Sequence, residues 1–177
     1  MIPLASLPAY DDDTTHLRRI FSYFPSGVVV LAADVEGEVE GMVASSFTVG
    51  VSLDPPLVLC AIQRTSSTWP RLRAATTLGV SVLAEDHGGI GQQVASRERS
   101  ERFAGVPLRS TGGTARFIAG APVWFECTVH AEHEAGDHLV VLLEVGALGA
   151  DPNLKPLVFH ASTFRRLVHP TSEETPS

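Results

Sequence analysis

Apolar residues at Leu17, Ile20, Phe21 and Phe24 recur with the i, i+3, i+4, i+7 spacing of one helical face. The cluster Asp11-Asp12-Asp13-Thr14-Thr15 before them supplies N-cap side chains, and Pro25 ends the run, so a helix is predicted between. β-Rich runs follow. Residues 28–33 and 39–45 flank the turn signal Glu36-Gly37-Glu38 and predict a hairpin. Leu53-Asp54-Pro55-Pro56 breaks the chain before 57–63, whose unbroken apolar character predicts a strand covered on both faces. Thr65-Ser66-Ser67-Thr68 opens a short helix, with Pro70 in a first turn that needs no amide donor, and Trp69 and Leu72 give it an apolar side. Leu78, Val80 and Val82 alternate with Gly79 and Ser81 as in a strand. Residues 88–103 read as helical and 106–122 as a loop marked by Gly112, Gly113 and Gly120. Two long strands, 123–133 and 139–148, flank Ala135-Gly136-Asp137, and one or two short strands follow over 157–160 and 164–167. The polar tail from Pro170 reads as loose.

In this order strands do not alternate regularly with helices, which argues against a doubly wound parallel sheet. No GxGxxG follows a first strand and no GxxxxGK[ST] occurs. The pattern predicts instead a mainly β chain, a closed antiparallel barrel with helices at its ends. No repeat or linker divides the 177 residues, so one domain is expected over 14–169, after an N-terminal extension at 1–13 and before a tail at 170–177.

Charge narrows the partners. Lys and Arg number 13 against 20 Asp and Glu, a formal net charge of −7 with no basic block. That disfavours nucleic acid and anionic membrane surfaces, both of which need clustered cations. The apolar runs are too short to span a bilayer, and residues 1–13 lack the pattern of a secretory signal, so a cytoplasmic protein is expected. Cys60 and Cys127 sit in strand-like runs and are expected as two buried thiols. They cannot build a four-sulfur zinc site. His130 and His133, three apart on a strand, point to opposite faces and are not expected to share a metal. No GxSxG elbow supports serine chemistry.

Three segments carry candidate chemistry. Gly41-Met42-Val43-Ala44-Ser45-Ser46-Phe47 combines small residues, which let a flat ligand approach the backbone, with two hydroxyls; a plain strand edge has the same composition. Arg64-Thr65-Ser66-Ser67-Thr68-Trp69 places hydroxyls and a cation at a predicted helix start, where free N–H groups attract anions; simple capping needs only one hydroxyl. Gly136-Asp137-His138 puts a histidine at a turn-to-strand junction, suited to a cavity mouth or to a solvent-facing turn.

Taken in order with Phe21-Ser22-Tyr23-Phe24-Pro25-Ser26-Gly27-Val28, Ser52-Leu53-Asp54-Pro55-Pro56-Leu57-Val58-Leu59, Gly79-Val80-Ser81-Val82-Leu83-Ala84 and Arg102-Phe103-Ala104-Gly105-Val106, these segments give a chain that resembles the flavin reductase family. Its members are small split-barrel flavoproteins that supply reduced flavin to partner monooxygenases. The resemblance runs from about Leu17 to Leu167 and implies a six-stranded antiparallel Greek-key split barrel with short flanking helices. It also implies a homodimer with FMN, or FAD, near the subunit interface, and NADH or NADPH as hydride donor. By resemblance, Met42, Val43, Ala44, Ser45, Ser46 and Phe47 wrap the flavin. Ser66, Ser67 and Thr68 hold its phosphate, and Ala95, Ser96 and Phe103 touch it. His138 belongs to the nicotinamide site. No residue is assigned to a metal.

Three positions depart from the family pattern. Val43 stands where threonine is frequent and supplies no hydroxyl. The connection 48–51 is one residue longer than usual, which a bulge at Gly50 would absorb. Phe159-His160-Ala161-Ser162-Thr163-Phe164 lacks an aromatic-arginine-glycine character. Two other classes stay in view: an FMN-dependent oxidase of the pyridoxamine-phosphate oxidase type, which would need a basic cluster such as Arg64, Arg71 and Arg73, and a non-catalytic flavin-binding protein.

Overall fold

The computed structural model describes residues 7–167, so the expectation for the tail from Pro170 lies outside the described residues. Helix α1 (Thr14–Ser22) begins where the acidic cluster predicts: the Asp13 carboxylate accepts from the Thr15 and His16 amides at 2.9 and 3.1 Å. Those bonds, the His16 amide first, hold the Asp13 carboxyl below its ordinary value. The apolar stripe of α1 is not covered by the chain. Phe21 is 65% exposed and Phe24 76%, with Ile20 beside them.

The chain then runs through β1 (Ser26–Gly27), β2 (Val29–Val35), β3 (Glu38–Ala44), β4 (Thr48–Leu53) and β5 (Pro56–Gln63). Next come α2 (Trp69–Leu72), β6 (Leu78–Val82), α3 (Gly88–Val94), β7 (Leu108–Arg109) and β8 (Phe117–Ile118). It ends with the long strands β9 (Val123–Ala135) and β10 (His138–Ala150), then β11 (Leu157–His160) and β12 (Thr163–Arg166). The principal sheet is antiparallel with order β3-β2-β6-β9-β10-β5-β4. It holds seven strands where six were expected, and its hydrogen bonding ends at β3 and β4. The Ser46 hydroxyl, between those two strands, reaches β5: it donates to the Ala61 carbonyl at 2.8 Å and accepts from the Ala61 amide at 3.1 Å. The arm is irregular where a bulge was expected, with two extra residues taken up instead of one. Thr48 pairs with Leu59 and Ser52 with Leu57, and Gly50 in the longer arm has φ +71°. Glycine takes that conformation without the strain a Cβ brings. Smaller sheets join β1-β11-β12 and β7-β8.

Burial corrects three expectations. First, β2 is the strand covered on both faces, not β5. Val29, Leu31 and Ala33 pack with Cys60, Ile62, Leu72 and Val141, while Val28, Val30 and Ala32 pack with Leu83, Val94, Ile118 and Leu157. In β5 only Val58, Cys60 and Ile62 are buried, and the alternate residues are half-covered. Second, 106–122 is a packed layer, not a surface loop. Val106, Ala115, Phe117, Ile118 and Ala121 are buried. The Ile118 amide donates to the Ser81 hydroxyl and its carbonyl accepts from the Trp124 indole, both at 3.0 Å. Gly79 lets the Arg116 backbone lie directly on β6, where a Cβ has no room. Third, the helix after Gly88 stops at Val94. The Ser96 hydroxyl accepts the Glu98 amide at 3.1 Å, and Arg102 donates to the Ser96 carbonyl at 2.8 Å. Such side-chain bonds replace further helical ones.

Cys60 and Cys127 are free and buried, as expected. Burial pushes the Cys127 thiol up to about 12, with the neighbouring Glu126 adding to it. His130 pairs with Glu144 across the hairpin at 3.0 Å. Among the described residues no helix is long and apolar enough to cross a membrane.

Candidate functional site

A cavity of about 770 Å³ opens where the end of β3, the end of β5, the 65–68 turn, the end of α3 and the start of β10 meet. Its walls bring together three sequence segments that were read separately. Met42, Val43, Ala44, Ser45 and Ser46 line it from β3 and the turn after it. Thr65, Ser66, Ser67 and Thr68 line it from the approach to α2, Ala95 from the end of α3, and His138 from the first position of β10. Gln63 stands opposite His138 in the β5–β10 ladder and also faces the cavity.

Three expected site residues are not among those that line the cavity. Phe47 turns into the core, with its ring centroid 6.0 Å from that of Phe125. Phe103 packs in the second core cluster above Gly41, where an added Cβ would come 2.5 Å from the ring and 2.6 Å from the Leu31 carbonyl oxygen. Ser96 spends its hydroxyl and carbonyl on the turn that follows α3. The cation is also different. Arg64 points to Glu134 at 3.6 Å with half its side chain in solvent, while Arg97 and Arg102 line the cavity. The spacing between them and the hydroxyl cluster is too long to be read as one site. The only cue was Arg102 beside Phe103 in a segment that matches the family pattern.

The hydroxyls divide by what they already hold. Ser46 both donates to and accepts from Ala61, so its hydroxyl is spent within the sheet. Ser66 accepts the Trp69 amide at 3.2 Å, and Thr68 accepts from Arg102 Nη1 at 2.7 Å. The hydroxyl protons of Ser66 and Thr68 therefore have no acceptor among the described residues. Helix α2 has only four residues, and Thr68 at its N-cap makes no capping bond, so anion attraction here belongs to side chains and not to a helix dipole.

A buried glutamate and a half-buried one hold this turn. Glu40, 6% exposed, accepts from Arg71 at 2.8 Å and from Arg99. Glu132 accepts from the Trp69 indole at 3.0 Å and pairs with Arg73 at 2.9 Å. At the cavity mouth, His138 Nδ1 lies 2.7 Å from Asp137 Oδ1. That bond and the imidazole's charge hold the Asp137 carboxyl below its ordinary value, so the carboxylate accepts and His138 Nδ1–H donates. Nε2 is the ring nitrogen left for a ligand.

Among the described residues no carboxylate lines the cavity, while two guanidiniums and one imidazole do. The size and the small-residue wall fit a flat, medium-sized ligand carrying negative charge. Fold and site together describe an antiparallel β protein with a cavity lined by cationic and hydroxyl side chains. Residues 21–168 match the family described as "Flavin reductase like domain", and the chain belongs to it. It is 39% identical over 161 residues to an NADH-dependent flavin reductase of a Rhodococcus species, with 86% of this chain and 85% of that protein covered. It is 30% identical over 154 residues to HsaB, the reductase subunit of a flavin-dependent monooxygenase from Mycobacterium tuberculosis, covering 86% and 81%. The solved structure of the NADH:FAD oxidoreductase SgcE6 from Streptomyces globisporus C-1027, in complex with NAD and FAD fragments, superposes with TM-score 0.85 at 33% identity, covering 95% of this chain and 100% of that one.

Proposed function

We propose that the protein is a flavin reductase that binds FMN or FAD in this cavity, takes a hydride from NADH or NADPH, and supplies reduced flavin to a partner monooxygenase. The observation that carries the proposal is the cavity lining itself: cations and the hydroxyl donors of Ser66 and Thr68, with no carboxylate among the described residues. The relatives named above support the activity, the nicotinamide donor and the oxygenase partner. A bound flavin supplies the hydride-accepting ring, and the protein supplies binding and orientation.

Within that division Ser66, Thr68 and Arg102 bind the phosphate end. The Met42–Ser46 wall, on the edge strand β3 and the turn after it, lies along the ring and its sugar chain. Val43 contributes backbone and an apolar surface only. His138, its Nδ1 tied to Asp137, presents Nε2 to orient the nicotinamide. No general acid is needed for hydride transfer, so a site without a proton-donating dyad suffices. The basic cluster that a pyridoxamine-phosphate oxidase would need is already committed: Arg64 to Glu134, Arg71 to Glu40 and Arg73 to Glu132.

The proposal extends to the whole molecule. Residues 14–169 act as one flavin-binding domain with split-barrel architecture in a cytoplasmic protein. The exposed apolar residues Phe21, Phe24, Val49, Val51, Leu53 and Leu148 cover a homodimer interface. The test is purification without added flavin, followed by anaerobic addition of FMN or FAD with NADH or NADPH. Bleaching of the oxidised flavin's visible absorbance is expected. Oxidised absorbance that persists with both flavins and both nicotinamides overturns the proposal.

A further inference from the structure

We propose that Gln63 is a specificity-determining residue for the hydride donor, recognising the carboxamide of the nicotinamide together with His138. This rests on His138 serving the nicotinamide. The two residues are direct partners in the antiparallel β5–β10 ladder, Gln63 at the last position of β5 and His138 at the first of β10. Side chains directly opposite in such a ladder leave the same face, with Cβ atoms about 4.5–5.5 Å apart. Alternation fixes which face that is. Val58, Cys60 and Ile62 on β5 and Val141 and Leu143 on β10 belong to the core, so Gln63 and His138 stand on the opposite face, where both line the cavity. Backbone bonds hold the pair in place. The Arg64 amide donates to the Asp137 carbonyl at 3.0 Å, and the Gln63 carbonyl accepts the Ser66 amide at 2.9 Å.

Donors and acceptors decide what the pair recognises. His138 donates Nδ1–H to Asp137, so a ring with one proton offers Nε2 as an acceptor only. It can take an N–H and has nothing to give a carbonyl. Gln63 supplies the missing half. Its carboxamide makes no side-chain hydrogen bond among the described residues and carries two N–H donors. A primary amide on an aromatic ring matches this set: its N–H goes to His138 Nε2, and its C=O accepts from Gln63 Nε2–H. A carboxylate or phosphate would set an oxygen with no proton against Nε2, so the pair selects the amide and not the charge that the arginine side of the cavity attracts.

The experiment measures steady-state KM for NADH, for its thionicotinamide analogue, whose C=S is a weak acceptor, and for its acetylpyridine analogue, which keeps C=O and lacks the N–H. The proteins are the full chain, Gln63→Leu, Gln63→Glu and His138→Ala, each checked for folding by melting temperature and for flavin affinity by titration. One lost hydrogen bond is expected to raise the KM for NADH about tenfold in both Gln63 variants, with flavin affinity changed less than about twofold. Gln63→Glu keeps the length of the side chain and loses its N–H donors, which separates hydrogen bonding from bulk. The analogues are expected to cross. Gln63→Leu raises KM for the acetylpyridine analogue as for NADH and moves the thionicotinamide analogue less than about twofold, and His138→Ala does the reverse. Equal losses across the three donors overturn recognition of the carboxamide. Flavin affinity that falls while KM holds overturns the proposal and gives Gln63 to the flavin. Gln63 variants at wild-type KM beside a raised KM in His138→Ala overturn the proposal and leave the role of His138 standing, whereas wild-type KM in all three variants overturns both.

Discussion

Two histidines show how the same side chain is put to different uses by its neighbours. His138 gives Nδ1 to the exposed Asp137 and keeps Nε2 for a ligand. Replacing His138 with alanine is expected to raise the KM for the nicotinamide about tenfold, the value of one hydrogen bond, with flavin affinity changed less than about twofold. Steady-state kinetics beside flavin titration separate the two, and a collapse of flavin affinity at unchanged KM removes the assigned role. His87 is buried at the start of α3, where Nδ1 accepts the Ala84 amide at 3.2 Å. Burial holds its imidazole below the ordinary value, against a smaller opposite pull from Asp86. The unfolded chain thus binds this proton at higher pH than the folded one. The contribution of neutral His87 is present above about pH 6.5 and is lost as pH falls from there toward the folded value. Urea denaturation at pH 7.5 and 5.5 is expected to show lower stability at the acid end, and His87→Gln is expected to reduce that difference.

At the scale of elements, α2 is too short to hold itself in place, and its position comes from Glu40 on β3 and Glu132 on β9. Glu40→Gln leaves Arg71 and Arg99 without their shared carboxylate. Because both arginines are half in solvent, the expected loss is about 1–3 kcal/mol, below that of a fully buried pair, read from the urea midpoint. Strands such as β6 and the β9–β10 pair were legible because alternation and a turn signal are local properties of the chain. The end of α3 was not. Residues 95–103 have ordinary helical composition, and the bonds that unwind them come from Ser96, Gln93 and Arg102, whose carbonyl and amide partners cannot be seen in one dimension. Arg64 was misread for the same reason. Adjacency to the hydroxyl cluster suggested a shared site, whereas Arg64, in the turn after β5, pairs with Glu134, and Arg102 comes in from another segment. Phe47 and Phe103 are placed in the site by resemblance, and in the structure both are half-buried against the core clusters, outside the lining of the cavity.

At the scale of the molecule, the uncovered apolar surface is the largest departure from what one chain needs. Leu53 is 89% exposed at the β4–β5 turn, and β4 carries Val49 and Val51 exposed beside it. Sedimentation is expected to show a dimer, and Leu53→Asp with Phe21→Asp is expected to shift it to monomer with weaker flavin binding. A wild-type monomer with full reductase activity removes the interface. The β content follows from patterns spread over the whole chain, but the strand order does not, and burial on the second face of β2 depends on the 106–122 layer, whose glycines masked its packing. The segment after α3 carries a last consequence. It is fastened by Gln93 to Glu101 and Ala104, by Arg99 to Glu40, and by Arg102 to Thr68 and Gly41, side chains throughout and no ladder of backbone bonds. A wall built that way is expected to set how long a bound flavin stays, read by stopped-flow release from Arg99→Gln beside the unsubstituted chain. For a product that reacts with dioxygen once free, the partition between delivery and futile oxidation is then tunable by single substitutions in this segment, without disturbing the sheet that holds the site.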